Sequence, residues 1–347
     1  MTIAPSPTPA TAPPAAPGAA SCRWQASADE TAAWAQAPVL AELTDQGVLA
    51  VEGADAVPFL QGQTTIDVTA IGPEGWQLGG YCTPKGRLLA IFQAWRQGTD
   101  IRLLLPAAIA PALQRRLAMF VLRAKAKIRD ASSDWRALAV LGTGAAAVLE
   151  AIGIAPPAAG ASTMLDGDER IVHLPGGVQC PERYLLLVRA ERASHWRELL
   201  RDLPRVGPAL WWWSQIDAAI PSVLPDTQEL FVPQAVNLEV LGGVNFRKGC
   251  YPGQEIVARS QYLGKLRRRM FLAHAAGLGA GPDVYQDGSA DPIGRIVLAA
   301  AAPRGGWDLL VECPTERAAQ GHLHAGSADA PELQLRELPY ALFDPTA

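Results

Sequence analysis

A stretch of twelve residues occurs twice in this chain, and that duplication limits the folds open to it more than any other feature. Residues 49–60 read LAVEGADAVPFL and residues 138–149 read LAVLGTGAAAVL, six identities in twelve positions at an offset of 89. Each copy has an apolar run of strand type, a glycine where the chain turns, and a segment of helix type. A fold built on one such strand-turn-helix unit therefore contains two. The second copy also spaces Gly142, Gly144 and Ala147 as GxGxxA after an apolar strand, the pattern of a dinucleotide-binding turn. The first copy keeps the architecture with Asp55 where the second glycine would stand, so the shared unit explains the pattern without a pyrophosphate.

Between the copies, residues 81–95 and 101–105 read as strands and 111–123 as a helix. After the second copy come strands near 169–173 and 184–188 and a helix near 193–203. Strands and helices mix without strict βαβ alternation, which predicts α+β layers rather than one doubly wound sheet. From about residue 272 the apolar runs shorten to 293–299, 309–313 and 333–338, broken by Gly, Pro and Asp, and predict a small all-β domain. The first twenty residues carry no charged side chain, six prolines and seven alanines. They bury too little to order themselves, and residues 1–22 are expected to form a disordered extension. The extension lacks the basic start and apolar stretch of a secretory signal and the arginines of a transit peptide, so a cytoplasmic protein is expected. The apolar stretch 139–162 is interrupted by Glu150, Pro156 and Pro157, which makes a poor membrane span.

With 30 basic against 34 acidic residues the chain has a net charge of −4, the wrong sign for coating nucleic acid along its whole surface. Any such contact has to be local. Residues 245–270 hold seven cations (Arg247, Lys248, Arg259, Lys265, Arg267, Arg268, Arg269) against Glu255, or +6. A second basic stretch, with six cations over 115–129, reads as a solvated face. The five cysteines lie 60, 98, 70 and 63 residues apart with no CxxC, which is neither a disulfide framework nor a zinc site. His322 and His324 form the one close histidine pair, without a carboxylate at ligand spacing, and no metal site is expected.

The first basic stretch contains KGCYPGQE at 248–255. Gly249 and Gly253 permit positive φ or close backbone approach and Pro252 fixes a turn, so Cys250 is presented on a tight loop. Arg247 and Lys248 beside it favour thiolate over thiol, the form that nucleophilic, redox or metal-ligand chemistry requires. Gln254 and Glu255 add an amide and a carboxylate. A buried, inert cysteine in a glycine-rich crossing is the other reading of the same residues. A cysteine hydrolase would need a histidine oriented against the thiolate, and no histidine lies in a comparably constrained loop.

KGCYPGQE resembles the K-G-C-[FY]-x-G-Q-E signature of the YgfZ family, folate-binding proteins linked to iron-sulfur cluster maintenance. Residues 47–68 (GVLAVEGADAVPFLQGQTTIDV), 81–89 (YCTPKGRLL) and 216–241 resemble three further family segments, and 294–300 fits its C-terminal barrel. The resemblance implies the fold of the glycine cleavage T-protein, an α+β, three-lobed body with tetrahydrofolate in a central cavity and a C-terminal β-barrel. It implies a folate-binding body over 23–135 and 206–270, a second α+β lobe over 136–205 and the barrel over 271–347.

Within the signature it gives functional weight to Lys248, Gly249, Cys250, Tyr251, Gly253, Gln254, Glu255 and Arg259. Cys250 is then the reactive thiol and Lys248 its cation, standing at the rim of a pterin-sized hollow. Carry-over places Gln63, Thr65, Asp67 and Asn237 toward the cavity. Asp217 is the candidate carboxylate for the pterin's amidine-like edge, and Lys85 and Arg87 are candidates for the glutamate tail. The transferase reaction is not implied, because Ala90 stands where the T-protein has its acid and Gln215 replaces the arginine of its Arg-Leu-Glu-Ala-Gly run. The expectation is a folate-binding accessory protein for iron-sulfur client or assembly proteins, affecting tRNA modification through them. A tetrahydrofolate-dependent aminomethyl or one-carbon transferase with a relocated acid is the alternative. A weak tRNA contact through residues 265–269 is a third reading.

Overall fold

The two copies of the repeat fold alike. The structure, a computed structural model, describes residues 22–262 and 266–342; residues 1–21 of the proline-rich extension and Lys265 lie outside the described residues. In each copy the apolar run is a strand inside a sheet (Gln46–Glu52 and Trp135–Leu141). The glycine then turns the chain at positive φ, +112° at Gly53 and +109° at Gly142, into a short helix, Ala56–Gln61 or Ala145–Ala151. The likeness continues beyond the twelve residues. Apart from 3₁₀ turns, both halves run strand, helix, three strands, helix, strand.

The sheet orders match as well. The first sheet is Trp76–Cys82, Leu88–Gln97, Asp100–Pro106, Gln46–Glu52, Lys127–Asp130. The second is Ser162–Met164, Arg170–His173, Arg183–Arg189, Trp135–Leu141, then Val39–Glu42 inserted before Arg205–Val206. Only that last pair is parallel within these two sheets. The stretch read as one strand over 81–95 is a hairpin, broken at 83–87 where Thr83 N–H donates to the Arg87 carbonyl and Gly86 N–H to that of Thr83. No parallel crossover follows Gly142. The N–H groups of Gly144 and Ala146, which a pyrophosphate would occupy, donate to the Glu182 carboxylate at 3.3 and 2.7 Å.

The third sheet is the C-terminal half-barrel: Leu323–Ala325, Asp283–Gln286, Gly294–Ala301, Trp307–Pro314, Arg268–Ala275 and Gln334–Arg336, with Arg23–Trp24 parallel to Gly294–Ala301. Buried Cys22 leads into that first strand. The tail is not wholly β, since helix Thr315–Gln320 crosses between two of its strands.

All three sheets contribute to one core around the helix Pro208–Asp217, which is buried from Leu210 to Asp217. A helix buried on every side, with three consecutive tryptophans, belongs in such a centre. Trp212 stacks on Trp24 at 4.2 Å, Trp34 meets Trp213 edge-on at 5.1 Å, and Trp213 Nε1 donates to Asp308 of the barrel at 2.9 Å. Each buried indole contributes roughly 4–6 kcal/mol of transfer free energy before entropy is counted. A buried guanidinium staples the two halves. Arg170 of the second sheet donates to the carbonyls of Pro73, Gly75 and Arg96, at 3.0, 3.1 and 2.9 Å.

The repeat glycines give a ranked prediction. A Cβ on Gly53 would sit 2.3 Å from the Lys125 carbonyl oxygen, whereas on Gly142 the nearest atom, on the Trp34 ring, is 3.2 Å away. Gly53→Ala should cost about 2–4 kcal/mol and Gly142→Ala about 1–2, since both force alanine to positive φ but only the first strikes backbone. Urea unfolding midpoints measure the order, and equal losses would contradict it.

Candidate functional site

Three sequence motifs converge on the outer end of the hairpin Trp76–Cys82 and Leu88–Gln97. The loop at 248–255 lies against the hairpin turn so closely that a Cβ on Gly253 (φ +83°) would fall 2.4 Å from the Thr83 carbonyl oxygen and 2.7 Å from Gly86 Cα. Gly86 faces Ile256 in return. Glycine is required where two backbones touch. The segment 61–66, which follows the first repeat helix, holds the other end. Lys248 Nζ donates to the carbonyls of Gln61, Thr64 and Ile66, at 2.5, 2.6 and 2.8 Å, and stands 5.3 Å from the centre of the Tyr251 ring. Asn245 N–H donates to the Thr65 carbonyl, and Thr65 Oγ1 donates to that of Gly243 while accepting from Gly80 N–H.

Lys248, assigned by sequence to the thiol, is thus directed at the turn. All three of its N–H donors have carbonyl partners, and burial pulls its pKa down to about 8. Tyr251 is buried, and burial raises its phenol above the usual range. Between these clamps the tip is open: Gly249 and Cys250 are exposed, as is Arg247. The chain then enters helix Gln254–Tyr262, on which Glu255 and Arg259 are exposed and Gln254 half-buried. The other four cysteines are buried, and burial holds the Cys82, Cys180 and Cys313 thiols up at about 12. Cys250 is the one exposed thiol of the five.

A hollow lies between the first sheet and the central helix, lined among others by Gln46, Leu78, Gln93, Trp212, Gln215 and Ser222. It holds about 30 Å³, room for one or two waters. Its polar groups are incompletely paired: Gln46 Nε2 and Gln93 Oε1 are buried without a partner. The Gln215 side-chain oxygen, Oε1, is taken by Arg183, which is fully buried and also donates to Ser214 Oγ and the Pro175 carbonyl, and burial lowers the guanidinium's pKa to about 10. That leaves the Gln215 amide N–H groups as the free side of the side chain. Asp45, next to Gln46, accepts from Trp212 Nε1 and keeps Oδ1 buried and unpartnered; burial raises its carboxyl against that indole bond.

None of the seven residues expected at the cofactor lines this hollow. Thr65 is consumed in the loop contacts above, Asp67 caps the 3₁₀ turn Val68–Ala70 through Thr69, and Asn237 is buried at φ +58° with its amide on the Met270 carbonyl. Gln63 keeps Oε1 buried and unpartnered. Lys85 and Arg87 are exposed on the hairpin turn beside the 248–255 loop. Asp217 lies in a different cleft, against the barrel. Cys250 does not line the hollow either, so the expected rim position gives way to an exposed tip at the hairpin end. Of the basic run 265–269, Arg268 pairs with Glu312 and Arg269 is buried against Glu239, while Arg267 is exposed. The hollow's glutamines carry little signal in the sequence: Gln93 alone breaks an apolar run, while Gln46 and Gln215 stand beside other polar residues.

No family model matches the chain. The tRNA-modifying protein YgfZ of Yersinia enterocolitica is 31% identical over 235 residues, 67% of this chain and 69% of that protein. The protein of the same name from Serratia proteamaculans is 27% identical over 312 residues, 87% of this chain and 92% of its own. Among solved structures, the glycine cleavage system aminomethyltransferase T of Bartonella henselae superposes with a TM-score of 0.73 at 18% identity, over 90% of this chain and 89% of that one, a likeness of fold. Among the described residues no helix is long and apolar enough to cross a membrane, and no cluster of three or more His, Cys, Asp or Glu could hold a metal ion.

The cage around Lys248 predicts a structural phenotype. Lys248→Met, which leaves three carbonyls without their donor, should lower unfolding free energy by about 2–4 kcal/mol. In the folded variant, iodoacetamide alkylation of Cys250 at neutral pH should stay within about 2-fold of wild type. A large fall in alkylation with unchanged stability would return Lys248 to the thiol.

Proposed function

The chain belongs to the YgfZ family, and from that premise we propose that it is a folate-binding accessory protein that serves iron-sulfur client or assembly proteins through Cys250. One observation carries the reading: the only exposed thiol sits on a loop tip whose flanking residues, Lys248, Tyr251 and Gly253, are anchored in the body. A thiol held this way is reachable by a partner and fixed in direction. The effect on tRNA modification that the relatives' name carries would follow through such clients.

The hollow's donor set fits a pterin in kind. A flat ring needs an aromatic wall and paired donors and acceptors, and Trp212, Gln46, Gln93, Gln215 and Asp45 supply them. These residues take the parts given to Asp217 and its companions by carry-over. Its 30 Å³ admits no ring until the Trp212 side and the Gln93 strand part, so binding is coupled to opening. Tetrahydrofolate would supply a one-carbon unit when bound; the chain's own residues orient the ring and exclude water.

A folate-dependent transferase is the second reading, and Asp45 is the observation in its favour. It is a carboxyl group raised by burial, adjoining a hollow whose lining has no carboxylate or histidine of its own.

Three measurements test these assignments. Cys250→Ala, expressed in cells lacking the native gene, should fold with unchanged Tm yet fail to restore cluster-dependent enzyme activities; full rescue removes the thiol from the mechanism. Tetrahydrofolate, followed by tryptophan fluorescence, should bind wild type and Cys250→Ala alike and bind Gln93→Ala about 10-fold or more weakly. Turnover of an aminomethyl donor with tetrahydrofolate, lost in Asp45→Asn, would instead establish the transferase.

A further inference from the structure

Gln215 and Asp217 are two positions apart on the central helix, about 200° around its axis, so they face opposite sides. Gln215 looks into the hollow. Asp217 looks into a second cleft of about 530 Å³, between the end of that helix, the loop at 176–181 and the barrel.

The inner wall of this cleft presents hydrogen-bond acceptors. Asp217 is 3% exposed; its Oδ2 receives the N–H groups of Gln179 and Cys180 at 2.9 and 2.8 Å, and Oδ1 has no hydrogen-bond partner among the described residues. His274 Nδ1 lies 2.7 Å from Oδ1 of Asp308, a buried carboxylate that also receives Trp213 Nε1 and the Arg336 guanidinium at 2.9 and 3.0 Å. A carboxylate on Nδ1 places a proton there, so Nε2, without a partner among the described residues, is the ring atom left to the cleft and accepts a hydrogen bond in the neutral ring. Two glycines keep both groups clear. A Cβ on Gly177 would fall 2.1 Å from Asp217 Oδ2, and one on Gly306 (φ +72°) 2.9 Å from His274 Nε2.

The outer part is different in character. Val178 is 75% exposed there, Ala302 adds apolar surface above buried Leu272, and three charged residues stand at the mouth: Arg336, which pairs with Asp308, the exposed Glu337, and Arg304, exposed with no ion pair among the described residues. Buried acceptors at the back, an apolar waist and a free cation outside describe a ligand by complementarity.

We propose that this cleft is a second small-molecule site, for a compound with an N–H-rich head, an amidine or amine, directed at Asp217 and His274, and an anionic end at Arg304. The site is separate from the hollow and from Cys250, and binding does not depend on either.

Three probes on the full chain test it by isothermal titration calorimetry. 4-Amidinobenzoate has head and tail, benzamidine the head alone, benzoate the tail alone. The first should bind saturably at one site, benzamidine more weakly, and benzoate at least about 10-fold more weakly than the first. Asp217→Asn should weaken both amidines by about 10-fold or more. Arg304→Ala, at an exposed position that leaves the core untouched, should bring 4-amidinobenzoate down to the affinity of benzamidine and leave benzamidine unchanged. Absence of saturable binding, benzoate binding as well as the amidines, or an Arg304→Ala variant with full affinity would overturn the proposal. Displacement of 4-amidinobenzoate by tetrahydrofolate would also overturn it, by making the cleft the folate site.

Discussion

The ammonium of Lys248 joins two parts of the chain more than 180 residues apart, and the shape of the candidate site depends on it. Removing an ammonium from water costs several kcal/mol, and three carbonyls at hydrogen-bond distance are what make the buried charge tolerable. Those carbonyls come together where the first repeat helix ends at Gln61 and the chain turns through 62–66, with Thr64 bridged to Tyr81 and Thr65 bonded to Gly80 of the neighbouring strand. The repeat's turn thus prepares a cation site, and the lysine at the start of the signature fills it. With that end fixed and Gly253 seated on Gly86, the backbone between them has little freedom. Cys250 stands exposed between buried Lys248 and buried Tyr251.

The duplicated half is the part of the fold that sequence made most legible. Glycines with equivalent φ and the same strand order, with Val39–Glu42 inserted, follow from a twelve-residue match because strand, turn and helix are local properties. The tight loop at 248–255 was legible for the same reason: glycine and proline act where they stand. The direction of a long side chain was not. Lys248 lies two residues from Cys250 in sequence, yet its partners are at 61, 64 and 66. The basic run at 265–269 likewise gives no hint that Glu312 and Glu239, far away in the chain, take up Arg268 and Arg269. Charge counted along a sequence overstates the field wherever partners arrive from other elements.

The cavities were hidden by a related effect. Gln93 is a single polar residue within an apolar run and Gln46 and Gln215 adjoin other polar residues, Asp45 and Ser214; in an isolated strand or helix such residues read as the solvent side. Here the central helix has no solvent side, so its polar positions must face cavities or buried partners. Gln215 and Asp217 do both. One is held by Arg183 and the other by two backbone N–H groups, and each keeps part of its polar edge for a different space. A buried helix with polar residues on opposite sides thereby separates two pockets that share a wall.

That separation bears on how the thiol and a bound ring would cooperate. Neither the hollow nor the second cleft is lined by Cys250, so a group transferred between ring and sulfur would have to cross the protein or leave it. A single exposed sulfur also falls short of the four ligands an iron-sulfur cluster needs, and the other four thiols are buried away from solvent. On the proposed function both constraints point the same way: chemistry at Cys250 would be completed by a second molecule that brings its own ligands to the loop tip, and the element connecting that tip to the hollow is the shared hairpin, whose strands line the hollow at Leu78 and Gln93 and whose turn supports the loop at Gly86.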